Sequence, residues 1–164
     1  MPGSENGLMF SFNLGPAHII TISTEFYYFL NYGFKQIVKQ YEWLINDLKE
    51  ANLEENRLTR PWIIIGGHRP MYCSDDDGDC VNDTLTLRSR IQPFNLFGLE
   101  PLLYEYGVDL ALWAHEHSYE RLWPVYNSTV MNGSASAYVN PRATVHVTTG
   151  SAVKFEFLIS LGNK

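Results

Sequence analysis

The apolar positions fall into short runs and one long stripe. Leu8 to Leu14 reads as a short strand, Gly15-Pro16 as a turn, and Ala17 to Ser23 as a second strand, paired as a hairpin or following in the same sheet. From Phe34 to Ala51 the apolar residues Ile37, Val38, Tyr41, Leu44, Ile45 and Leu48 recur every three or four positions, which predicts an amphipathic helix. Its opposite face, with Lys35, Lys39, Glu42, Asp47 and Lys49, is expected to be wet. Trp62 to Ile65 is near-continuously apolar and β-branched between Pro61 and Gly66-Gly67, as for a strand covered on both faces, and it runs into His68. Leu96 to Tyr106 predicts a second helix closed by Gly107, and Val108 to Trp113 another buried strand, running into Ala114-His115-Glu116-His117. Ser118 to Pro141 reads as loop, and Ala143 to Thr149 returns as a strand.

Strands that lack clean alternation, interleaved with helices, point to an α/β layered fold. In such sheets ligands bind beyond the carboxyl ends of the strands, where both histidine groups fall. With 164 residues, 45% of them hydrophobic and 14% aromatic, the chain has the composition of a packed domain rather than a disordered one. Its formal charge of −6, without a run of Lys or Arg, argues against nucleic acid as a partner. No stretch reaches the roughly 20 apolar residues of a bilayer-spanning helix, which argues against membrane insertion. Met1-Pro2-Gly3-Ser4-Glu5 does not begin a signal peptide.

Cys73 and Cys80 flank a loop rich in Asp and Gly. They read either as two free thiols or as a short bridge, stabilising by about 2 to 3 kcal/mol through chain entropy. Three acceptor tripeptides for N-glycosylation, beginning at Asn82, Asn127 and Asn132, tilt the compartment toward the secretory route. The run Asp75-Asp76-Asp77-Gly78-Asp79 is read as a solvated loop, because an EF-hand starting at Asp75 would need Gly where Cys80 stands and Glu where Thr86 stands. His18 and His146 lie inside strand-like runs and are read as structural. Glu120 and Arg121 are read as an ion pair supporting the histidine loop.

His115 and His117 are one residue apart just past a strand, so their side chains leave the backbone on the same side. Such a pair either chelates metal or is bonded to backbone and water. His68, preceded by two glycines that permit close backbone approach, adds a third imidazole at another strand end. Imidazole suits zinc, iron and similar metals, whereas calcium and magnesium prefer oxygen.

Ile65-Gly66-Gly67-His68 and Ala114-His115-Glu116-His117 resemble the fourth and fifth of the five metal-ligand blocks of the calcineurin-like metallophosphoesterases. Gly67-His68-Arg69-Pro70-Met71-Tyr72, Glu116-His117-Ser118-Tyr119-Glu120-Arg121, Val145 to Ala152 and Leu14 to Ile20 extend the resemblance to the animal purple acid phosphatases, over about residues 1 to 152. The resemblance implies an α/β sandwich with mixed sheet strands and flanking helices, here its C-terminal part, truncated at the N-terminus, with 153 to 164 a divergent tail. It implies a dinuclear centre of iron with zinc, iron or manganese, with His117 on the ferric ion and His68 and His115 on the divalent one. The reaction implied is hydrolysis of small phosphate monoesters at acidic pH, in a secreted or lysosomal enzyme.

The chain also departs from that pattern. The family's first three blocks, which supply an Asp, a Gly-Asp-x-x-Tyr and a Gly-Asn-His-Glu, are not found, so the chain is expected to begin after the third. Ala114 replaces a usual Gly. No histidine lies between His68 and His115 to protonate a leaving group, and Asp76, Asp77 and Asp83 are weak substitutes. Two further readings therefore stand beside the acid phosphatase: a catalytically incompetent remnant that binds metal or a partner, and a metallophosphoesterase of another branch acting on phosphodiesters or nucleotides.

Overall fold

The computed structural model describes residues 7–75, 80, 87–88 and 97–150. Asn82, Asp76, Asp77, Asp83 and the tail from 153 lie outside them. A six-stranded sheet runs β1-β2-β3-β4-β8-β5, with β1 Phe10–Leu14, β2 Ala17–Thr21, β3 Trp62–Gly66, β4 Leu110–Trp113, β5 Tyr119–Arg121 and β8 Val145–Thr149. The strands β2, β3, β4 and β8 are parallel, and antiparallel β1 and β5 close the two edges. The fold is thus α/β with a mixed sheet.

The first two strands form the hairpin that the turn signal suggested. Leu14 pairs with Ala17 across Gly15-Pro16, and Gly15 sits at φ 53°, the left-handed conformation that a two-residue II′ turn requires at its first position. Helix α1 (Glu25–Tyr28) is a single turn, α2 (Lys35–Ala51) realises the long apolar stripe, and α3 (Glu54–Thr59) leads into β3. Helix α4 (Leu99–Glu105) is shorter than the predicted segment, and Gly107 at φ 59° terminates it as a glycine beyond a helix end does.

Register explains which residues form the core. Ile20 faces Ile65, Ile65 faces Ala111, and Ala111 faces His146, so these side chains share one face of the sheet. Helices α2 and α4 cover that face with Ile37, Leu44, Leu48, Leu99, Leu102 and Leu103, all buried in one cluster with Ile20, Ile63, Ile65 and Trp113. Two polar residues of α2 join this face against the expectation from pattern. Gln40 is fully buried and bonds both the backbone N–H and the carbonyl of Ser23, at 2.8 and 2.9 Å. Asp47, expected to be wet, instead meets Nε2 of His18 at 2.9 Å, and Asn13 contacts the other ring nitrogen at 2.8 Å. His18 is structural in this sense: it ties the β1–β2 hairpin to α2.

The opposite face corrects the expectation that β3 is covered on both sides. Phe12, Ile19, Ile64, Leu110 and Val145 form one cross-strand row, and Leu112 and Val147 lie on the next. These residues are only half-buried or exposed, with Phe12 at 38% and Leu112 at 37%, and so are Leu14 and Trp62 on the same face, at 63% and 55%. Trp62 to Ile65 is apolar throughout because a mainly parallel sheet is built for two covers. Among the described residues only one face has such a cover. The segment Ser118 to Pro141, read as loop, also contains short strands: β5, and a hairpin of β6 (Val125–Tyr126) and β7 (Thr129–Val130). They escape a pattern reading because two or three residues are too few to show a period. Asn127 and Ser128 turn this hairpin at φ 49° and 58°, the positive values of a two-residue I′ turn.

The asymmetry of the two faces is measurable. Leu44→Ala, beneath the covered face, is expected to lower unfolding stability by about 2 to 5 kcal/mol. Leu112→Thr, on the open face, is expected to change it by less than about 1 kcal/mol while reducing the fluorescence of bound anilinonaphthalene sulfonate. Urea denaturation and dye titration check both.

Candidate metal centre

The pairing of β3 with β4 places the histidines. Gly66 is opposite Leu112, and beyond the strands the contact continues: the N–H of Gly67 donates to Leu112 O at 3.1 Å, and the N–H of Ala114 donates to His68 O at 2.8 Å. His68 is therefore held opposite Ala114, one residue from His115. The two rings meet edge to face with centroids 5.0 Å apart, and His115 Nδ1 lies 3.1 Å from His68 Nε2. Imidazoles 47 positions apart in sequence converge because adjacent parallel strands deliver them to the same end of the sheet.

The backbone at His115 is strained. Its φ is 65°, and the N–H of Glu116 donates back to Ala114 O at 2.8 Å, closing a three-residue turn with His115 at its centre. A γ-turn of this sense is rare and unfavourable for a side-chain-bearing residue. Local strain of about 1 to 3 kcal/mol persists only where the surroundings enforce it, and such sites are often functional. Two glycines supply the enforcement. A Cβ on Gly150, just beyond β8, would stand 2.1 Å from the backbone oxygen of Glu116, so the histidine turn is seated directly on that glycine. A Cβ on Gly67 would meet Trp113 Cζ3 at 2.8 Å and Thr24 Cγ2 at 2.9 Å, so the strand end before His68 is equally tight. The chain accommodates Ala114, by contrast, at a position that is only half-buried and has no positive φ.

Arg69 surrounds this pair with charge. Its N–H donates to the Oγ1 of fully buried Thr24 at 2.6 Å, its Nε donates to Glu25 Oε1 at 3.0 Å, and its guanidinium lies 4.6 Å from the centre of the Tyr28 ring. One guanidinium nitrogen is 3.0 Å from His115 Nε2. Arginine only donates, so this nitrogen of His115 accepts, and the proton of the neutral ring then sits on Nδ1, facing His68. Arg69 lay inside the quoted histidine motif, but nothing in its sequence context gave it a role.

Below the turn, the side chain of Glu116 is buried against the Cys73–Cys80 disulfide, whose Cα atoms are 5.6 Å apart. These three residues have donor atoms within 4.8 Å of one another, but disulfide sulfurs carry no thiolate to bind a cation. Among the described residues no other trio of His, Cys, Asp or Glu is so compact. His117 is exposed, as His68 is, and among the described residues it does not complete a compact trio with His68 and His115. Glu120 and Arg121 do not form the ion pair expected of them. Neighbours on a strand point to opposite faces: Glu120 accepts from the Ser74 N–H at 3.1 Å, and Arg121 lies over the Tyr138 ring at 4.9 Å. Tyr72 hydrogen-bonds Glu100, and burial followed by that bond pushes its pKa up to about 12, so it remains a neutral phenol.

The donor set fits a metal in part. Bonds of about 2.1 Å from one ion to nitrogens at the His68–His115 spacing would enclose an angle of about 95°, suitable for adjacent ligands. Coordination would require the Nδ1 lone pair of His115, its proton shifting to Nε2 and the guanidinium moving aside.

The chain with this sheet order and these strand-end histidines is a member of the calcineurin-like phosphoesterase family, whose profile matches residues 6–119. Within that family it is similar to acid phosphatase type 7. It is 58% identical to the mouse protein over 154 residues and 57% identical to the human one, in both cases covering 93% of this chain and 34% of the relative. It thus spans about a third of the length of these relatives. An Arabidopsis thaliana protein described as probable inactive purple acid phosphatase 9 is 37% identical over 78% of the chain. In fold, the chain matches a purple acid phosphatase from yellow lupin seeds, with a TM-score of 0.66, 24% identity, and coverage of 92% of this chain and 24% of that one.

Two outcomes follow from this architecture. Gly150→Ala is expected to cost about 3 kcal/mol, the upper end of overpacking, and to displace the His115 and His117 ring resonances in NMR spectra while leaving those of His18 in place. The second concerns His146, buried beside Trp113, whose indole N–H donates to its Nδ1 at 3.1 Å. Burial, with a smaller contribution from Arg88, pushes its pKa down from 6.5 to about 3. Between these values the unfolded chain binds the proton that the folded chain refuses, so stability falls as pH falls through that window, by up to about 1.4 kcal/mol per pH unit. His146→Gln keeps an acceptor for Trp113, and denaturation curves from pH 7 to 4 are expected to show a correspondingly shallower loss.

Proposed function

We propose that this chain supplies the imidazole side of a dinuclear centre that hydrolyses small phosphate monoesters, in the manner of an acid phosphatase. The contact between His68 Nε2 and His115 Nδ1 at the ends of neighbouring parallel strands carries this reading. In it, His68 and His115 hold the divalent ion, zinc, iron or manganese, and His117 holds iron. When bound, such a pair supplies charge to bind the phosphoryl oxygens and lowers the pKa of a bound water. The chain's own residues orient the ligands: Gly67 and Gly150 fix the two backbones, and the turn at His115 points its ring toward His68. Arg69, once off His115, is a donor suited to a phosphoryl oxygen. The disulfide and the exposed Asn127 and Asn132 agree with a secreted or lysosomal setting, with Asn82 a third acceptor outside the described residues.

The open face of the sheet supports the view that the centre is completed within a longer polypeptide. In a protein of the relatives' full length, His115→Ala is expected to reduce hydrolysis of p-nitrophenyl phosphate at pH 5 by more than about 100-fold, since even partners of metal ligands are worth 10- to 100-fold. Turnover within tenfold of the parent would refute the ligand assignment.

A second reading is favoured by the absence, among the described residues, of a compact third ligand: the chain is a remnant that binds metal weakly and does not turn over. Metal analysis after dialysis separates the two. Two tightly held ions per chain with turnover excludes the remnant, while substoichiometric zinc without turnover supports it.

A further inference from the structure

A second cluster of ligand-type side chains lies beneath the histidine turn and takes no part in the chemistry above. The Glu116 side chain, in a residue only 5% exposed, packs against the bridge between Cys73 and buried Cys80, and a carboxylate oxygen and both sulfurs lie within 4.8 Å of one another. Ligands that share a tetrahedral zinc stand about 3.5 to 3.8 Å apart, given bonds of about 2.0 to 2.3 Å. The three side chains are thus gathered at close to coordination distance, and the covalent bond is what keeps the sulfurs from serving. With their Cα atoms 5.6 Å apart, sulfurs released from that bond reach the spacing by side-chain rotation.

Contacts other than the bridge hold two of the three in place. Before Cys73, Met71 is fully buried and the Tyr72 hydroxyl bonds Glu100. After it, the Ser74 N–H donates to Glu120 Oε2 at 3.1 Å and Asp75 Oδ2 accepts from Ser118 Oγ at 3.0 Å, which ties this stretch to the residues that follow Glu116. Glu116 itself belongs to the turn seated on Gly150, where a Cβ would stand 2.1 Å from its backbone oxygen. Opening the bridge therefore leaves Cys73 beside Glu116, and Cys80, seven positions along, is the one ligand whose return depends on the intervening loop. That loop carries Asp75, Asp76, Asp77 and Asp79 and no basic residue, a charge pattern that concentrates cations around it.

We propose that opening the Cys73–Cys80 bridge turns this cluster into a zinc site, with the two thiolates and the Glu116 carboxylate as ligands and the fourth position left to water. The opening is a two-electron reduction. A trialkylphosphine attacks one sulfur and the S–S bond breaks; water then converts the phosphonium to the phosphine oxide, and its two protons go to the two sulfurs. A dithiol achieves the same by closing to its own disulfide. Zinc takes the place of both thiol protons, which pass to solvent. Two thiolates select zinc over calcium and magnesium, which prefer oxygen. The loop thus has two alternative staples, covalent when oxidised and metallic when reduced, and each holds Glu116 between His115 and His117. No histidine is a ligand here, so the proposal does not depend on the phosphoesterase reading.

Cobalt(II) is the probe, because cobalt–thiolate bonds give an intense near-ultraviolet charge-transfer band that imidazole ligands do not. The chain is reduced with a water-soluble trialkylphosphine, freed of it under argon and titrated with cobalt chloride. The reduced chain is expected to take up one cobalt with that band, and zinc to displace it; the oxidised chain is expected to show no band. His68→Ala is expected to keep the band, which separates this site from the histidine centre, and Cys73→Ser to lose it. Glu116→Gln is expected to weaken cobalt binding by at least about 10-fold, since even partners of metal ligands are worth that much. Two thiols in an unfolded loop would not show this loss. The proposal is overturned if the reduced chain gives no band, or if cobalt binds the Glu116→Gln chain as tightly as the parent.

Discussion

The parallel pairing of β3 with β4 is the constraint from which the site follows. Its register sets Gly66 against Leu112, carries the hydrogen bonding on to Ala114 and His68, and so brings two imidazoles within 3.1 Å. A shift of one residue would turn every side chain of a strand to the other face. It would also exchange the buried Ile63 and Ile65 with the open-face Ile64. Burial of the core face and convergence of the two histidines are therefore the same structural fact.

The strain at His115 fits this picture. A residue with a side chain is held at φ 65° between a strand that cannot move and a glycine that leaves no space. Arg69 fills the electrostatic gap by engaging the outer nitrogen of His115 while Glu25 and Tyr28 hold its guanidinium.

Much of the fold was legible in the chain. The helix Lys35–Ala51 was visible because seventeen residues hold several periods of its stripe, and β2, β3, β4 and β8 were visible because they are short, largely apolar runs set off by proline, glycine or histidine. The short strands β5 to β7 were not legible, since three residues or fewer have no period. The burial of Gln40 and the engagement of Asp47 were hidden as well. Both are polar, and only the approach of Ser23 and His18 from other elements gives them partners.

For the site, sequence alone determined which residues can ligate, because imidazole chemistry and the two strand-end motifs are local and can be read along the chain. Tertiary structure decided that the rings of His68 and His115 meet. It also decided that Gly150 is the seat of the histidine turn, that Arg69 stands at His115, and that one face of an apolar sheet is left open among the described residues. These depend on register and on approach between segments distant in sequence. Neither is encoded in any single stretch; both arise only when burial of one face selects the pairing.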